Sequence, residues 1–76
     1  MSNTFNVVDH LLQLGFKTQT RLAHAANVSQ SVAAYWKANN SIPDDRKRLI
    51  IAAAAEEGFE VFPDDFFEPE LRRQGV

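Results

Sequence analysis

Apolar side chains recur at helical spacing from the start of the chain. Phe5, Val8, Leu11, Leu12 and Leu14 fall within residues 4–14, the pattern of one apolar helix face. Gly15 follows and is expected as a left-handed C-terminal cap, with Phe16 folding back onto the helix. Thr18 suits an N-cap and opens a second, short helix over residues 19–26, a run rich in alanine and poor in β-branched residues. Asn27 ends it, being one of the few non-glycine residues that enter the left-handed region routinely. After Val28, Ser29 is another N-cap, and a third helix is expected over residues 30–38. Ala33 and Trp36 lie three apart on its inner face, with Val32 competing with Ala33 for the inward position. Asn39, Asn40 and Ser41 form a polar turn. Ile42 and Pro43 lead into a fourth helix over residues 43–57, with Pro43 at its first position and Leu49, Ile50, Ala53 and Ala54 as its inward stripe. Gly58 stops it.

The end of the chain reads differently. Phe59, Val61, Phe62, Phe66 and Phe67 are embedded in acid, with Pro63 and Pro69 between them. One helical turn is expected at residues 63–66 and a loose tail over residues 68–76. Burying one Phe is worth roughly 1.5–3 kcal/mol. Some of the five must close the core over the first and fourth helices, but a chain this small cannot easily hide all of them, so these residues are also the expected contact of a weak homodimer. Every element predicted is helical, so the class is all-α.

Length narrows the function. The chain has 76 residues, one domain, and a chain this short buries only about 60% of its unfolded surface. That leaves no room for a cofactor-sized pocket beside a core, and no cofactor is expected. There is no cysteine, which excludes a disulfide scaffold and a thiolate zinc site. His10 and His24 have no partner at ligand spacing, and no glycine-rich phosphate loop is present, so catalysis is not expected. Asp64, Asp65 and Glu68 lack the glycine turn of a calcium loop. No run reaches the roughly 20 apolar residues of a membrane span, and residues 1–6 lack a signal peptide's basic start and apolar core. A cytoplasmic protein with no membrane partner is the expectation.

Charge is unevenly divided. Residues 1–55 carry +3 and residues 56–76 carry −5, for a net charge of −2. Such asymmetry fits a nucleic-acid partner on the basic side. Residues 18–36 also meet the physical demands of a helix-turn-helix: two short helices and a tight turn between them. Ala23 is small where the helices cross, Asn27 tolerates positive φ in the turn, Val28 plugs the gap and Ser29 caps the second helix.

At these residues the sequence resembles a family. The stretch QTRLAHAANVSQSVAAYW, residues 19–36, is similar to the helix-turn-helix of the phage lambda repressor and Cro superfamily. The continuation from Trp36-Lys37 to Ile42-Pro43, with the later FPDDFFEP, resembles the prophage Cro group of YdaS-like regulators. The resemblance implies a compact four- to five-helix domain over residues 1–67, with the second motif helix in the major groove of double-stranded operator DNA. It implies base contacts from Gln30 and Ser31 and, one turn later, from Ala34 and Tyr35. It implies backbone contacts from Gln19, Lys37, Asn39 and Asn40, and binding as a dimer to near-palindromic sites. Lys17, Thr20, Arg21, Arg46 and Lys47 complete the expected backbone set; such contacts fix register without reading sequence.

The chemistry is direct. Gln30 suits bidentate bonding to adenine, Ser31 can donate or accept, and Ala34 can meet a thymine methyl. Tyr35 is either a groove contact or a core edge. The usual turn glycine is Asn27 here, and no Arg or Lys occupies a base-reading position, which disfavours guanine-rich sites. A second class stays open. The same helical domain suits a protein-interaction module, antitoxin-like or a co-regulator, working through its Phe-rich acidic end.

Overall fold

The structure, a computed structural model, describes residues 5–67. The expected tail over residues 68–76, and residue 4 where the first helix was expected to begin, lie outside the described residues. Four helices and a short 3-10 turn follow in chain order: α1 (Val7–Leu11), continued by a π-helical turn (Leu12–Phe16), α2 (Gln19–Ala25), α3 (Gln30–Asn39), α4 (Asp44–Glu57) and the 3-10 turn (Pro63–Phe66). No strand occurs among the described residues, so the all-α class holds. None of these helices is long and apolar enough to cross a membrane.

Local chemistry sets the helix starts. α1 begins later than its apolar spacing suggests because Asn6 is extended and its Oδ1 accepts from the amides of Val8 and Asp9 at 3.0 and 3.2 Å. Thr18 and Ser29 cap as expected: Arg21 N–H donates to Thr18 Oγ1 at 3.2 Å and Val32 N–H to Ser29 Oγ at 3.3 Å. Pro43 stands one place earlier than expected, as the extended residue before α4. There its missing N–H costs nothing.

Three helices end alike, in a Schellman pair of bonds closed by a left-handed residue. Val28 N–H reaches Ala23 O around Asn27 (φ 60), Ser41 N–H reaches Trp36 O around Asn40 (φ 51), and Phe59 N–H reaches Ala54 O around Gly58 (φ 99). Asn27 and Gly58 meet the expectation.

Gly15 does not. Its φ is 167° and its ψ −15°, non-helical but not left-handed, and the helix widens there, with Lys17 N–H bonded to Leu12 O at 2.9 Å. The positive φ falls on Lys17 (φ 75, ψ −43), around which Thr18 N–H closes a three-residue γ-turn onto Phe16 O at 2.8 Å. Glycine is needed at position 15 for space. A Cβ there would lie 2.7 Å from the Phe59 ring, which stacks edge-on against Phe16 with centroids 4.9 Å apart.

The core gathers Val7, Val8, Leu11, Phe16, Leu22, Ala23, Ala26, Ala33, Trp36, Ile42, Ile50 and Ala54. Ala33 rather than Val32 faces inward; Val32 is 37% exposed. Leu49 departs from its expected inward place and is 40% exposed. The buried side of α4 is drawn by Ile50 and Ala54, and Leu49 lies about 100° around the helix from Ile50.

The dimer expectation is corrected for three of its five residues. Val61 and Phe66 are buried and Phe59 packs against the core, so all three close the chain's own interior. The reason is the chain reversal at Gly58, which lays the segment back across α1. There Asp65 Oδ1 sits 3.0 Å from His10 Nε2, and Asp65 Oδ2 accepts from Phe62 N–H at 2.8 Å. Phe62 and Phe67 stay outside the core, at 57% and 43% exposure.

Candidate functional site

α2 and α3 pack against each other across the turn at residues 26–29 and leave one face of α3 uncovered. At 100° per residue, Gln30, Ser31, Ala34, Tyr35 and Ala38 form a continuous outward stripe opposite Ala33 and Trp36. All five are exposed. Tyr35 is 66% exposed, which removes the core-edge alternative. The stripe's middle is small (Ser31, Ala34, Ala38), so the helix backbone can approach a partner closely. Gln30, Ser31 and Tyr35 make no side-chain hydrogen bond within the described residues. Their polar groups are thus available to something outside the chain. Ala38 was not among the expected contacts, though its spacing of four from Ala34 marks it.

The surrounding charge has a pattern missed in the sequence reading. Residues 10–43 hold Lys17, Arg21 and Lys37 and no Asp or Glu. The stripe and α2 therefore lie in an acid-free stretch of the chain, readable from sequence once sought.

The expected backbone-contact residues divide into three kinds. Lys17, Thr20 and Gln19 lie together at the start of α2; Lys17 and Thr20 are exposed, Gln19 half-buried, and Lys17 has no ion pair among the described residues. Arg21 and Lys37 are exposed but paired. Arg21 Nη2 lies 2.8 Å from Glu57 Oε1 at the end of α4, and Lys37 Nζ lies 3.2 Å from Asp9 Oδ1 on α1. The remainder are turned to the chain itself. Lys47 Nζ bonds Asp44 Oδ1 at 2.9 Å and sits 5.0 Å from the centre of the Phe67 ring. Arg46 reaches back to Ala26 O at 3.5 Å.

The two asparagines after Lys37 also have internal work. Asn39 Nδ2 donates to Tyr35 O at 2.9 Å. Asn40 Oδ1 accepts from Val7 N–H at 2.7 Å while its Nδ2 donates to Phe5 O at 2.8 Å. Asn40 ties the end of α3 to the start of α1, a role invisible without the fold. Among the described residues no group of three His, Cys, Asp or Glu side chains is placed to hold a metal ion, and no polar side chain is buried in the core. Compared with protein families, curated proteins and solved structures, the chain matches none.

Proposed function

We propose that the protein is a sequence-specific double-stranded DNA-binding transcription regulator of the Cro or repressor type, with α2 and α3 as a helix-turn-helix and α3 entering the major groove. The observation that carries the reading is the uncovered stripe of α3: polar and small, unbonded within the chain, and set in an acid-free stretch. An α-helix with small residues along its outer middle fits a major groove about 12 Å wide. Gln30 and Ser31, in the first turn of α3, stand where such a helix presents base contacts, and Tyr35 flanks them. Lys17, Gln19 and Thr20 at the start of α2 supply backbone contacts. The resemblance of residues 19–36 to the lambda repressor and Cro superfamily supports the same reading and adds dimeric binding to near-palindromic operators.

Selection of a random duplex pool on the protein, followed by anisotropy against salt, tests this. The expected result is a near-palindromic consensus and a steep negative salt slope. Gln30→Ala should cost about 1–3 kcal/mol, confined to one base-pair position of the half-site. A loss spread evenly over all sequences would place Gln30 on the backbone instead. A pool that stays flat, without salt-dependent binding, would overturn the reading. The exposed ring of Phe62, beside Glu60 and Asp64, would then direct the search to a protein partner.

A further inference from the structure

We infer that Asp9 and Glu57 act as built-in competitors of DNA phosphate, each occupying a cation that the DNA-binding reading assigns to the backbone. The inference rests on that reading. Arg21 and Lys37 come from the acid-free stretch, α2 and α3 respectively, yet each is met by a carboxylate from another helix: Glu57 of α4 at 2.8 Å and Asp9 of α1 at 3.2 Å. Neither pairing is local in sequence. The fold brings both acids to the basic side.

A carboxylate and a phosphate present the same oxyanion chemistry to a guanidinium or an ammonium. Both pairs are half-exposed, and such pairs are weak and screened, so a phosphate can exchange with either carboxylate. The exchange has a cost, however. With both pairs closed, the three cations Lys17, Arg21 and Lys37 are offset by two carboxylates, and the face presents little net charge. Sequence-independent affinity comes from phosphate neutralisation, so this is the part that Asp9 and Glu57 hold down. Base readout by the α3 stripe does not involve them.

The test compares full-length wild type with D9N, E57Q, their double variant and E56Q. Glu56 is the control: it is exposed, holds no cation among the described residues, and loses the same charge. Binding is measured by anisotropy on a selected duplex and on a random-sequence duplex at several salt concentrations, with thermal melting to verify folding. The double variant should bind both duplexes about two- to twentyfold tighter at low salt, with a log–log salt slope steeper by up to about 1.8. The ratio between the two duplexes should not change. In an R21Q background the gain from E57Q should fall to that of E56Q.

Gains no larger than that of E56Q, or an E57Q gain above that of E56Q that survives R21Q, would overturn the inference while leaving the DNA-binding reading intact. A changed ratio between duplexes would place these acids in base readout and also overturn it. Absence of DNA binding by wild type and double variant alike would sink both.

Discussion

Gly15 shows how one residue type answers different physical needs. Its φ of 167° lies outside the left-handed region, and the Phe59 ring occupies the space a Cβ would take. Gly15→Ala is expected to destabilise by about 1–3 kcal/mol, the usual penalty for overpacking, partly offset by alanine's lower unfolded-state entropy. At this chain length each kcal/mol corresponds to roughly 4–8 °C of melting temperature. On a Phe59→Leu background the same alanine should cost much less. Equal costs in the two backgrounds, measured by urea titration, would show that Phe59 is not the obstacle. Lys17 makes the converse point. It carries the positive φ that glycine was expected to supply, at a strain cost of about 1–3 kcal/mol for a side-chain-bearing residue.

Between elements, the α1–α3 junction is laced by two asparagines in opposite directions. Asn40 holds Val7 N–H and Phe5 O, and Asn6 Nδ2 donates to Lys37 O at 3.0 Å. This junction positions α3, whose outer stripe is the candidate contact surface. Asn40→Gly keeps the left-handed conformation and loses both side-chain bonds, so it should cost about 1–2 kcal/mol. Asn40→Ala should cost about 1 kcal/mol more, because it also loses tolerance of positive φ. A thermal series ordered Asn, Gly, Ala from most to least stable is expected. Glycine matching wild type would mean that the lacing contributes nothing.

Across the whole molecule, the Phe-rich segment divides between interior and surface. Phe66→Ala should cost about 3 kcal/mol or more. That is a large share of a stability expected at about 4–11 kcal/mol for this length. Phe62→Ser should change stability by no more than about 0.5 kcal/mol. Denaturant titrations of the two variants check this, and similar losses would show that Phe62 packs in solution. Sedimentation of Phe62→Ser tests separately whether that exposed ring joins two copies; unchanged association would exclude it. Charge is arranged at this scale too. The carboxylates of residues 56–67 lie on α4's end and the returning segment, apart in sequence from the acid-free stretch carrying α2 and α3. Glu57 bridges the two through Arg21, and Asp65 through His10.

Helices, caps and left-handed stops were legible in the sequence because they depend on neighbours within a few residues. Thr18, Ser29, Asn27 and Gly58 behave locally, and the 3.6-residue period put Trp36 on the inner face of α3 while leaving Ala33 and Val32 to compete for the place beside it. What depends on distant partners was not legible. The widened turn at Gly15 requires Phe59, more than forty positions away. The burial of Val61 and Phe66 requires the chain to return over α1. Exposure of Leu49 and burial of Ile50 follow from how α4 is rotated against its neighbours, which two adjacent apolar residues cannot specify. The cations told the same story. Sequence placed Arg21 and Lys37 on the right helices, but only the tertiary structure set Glu57 and Asp9 against them, because an ion pair between helices is a property of their packing and not of either helix alone.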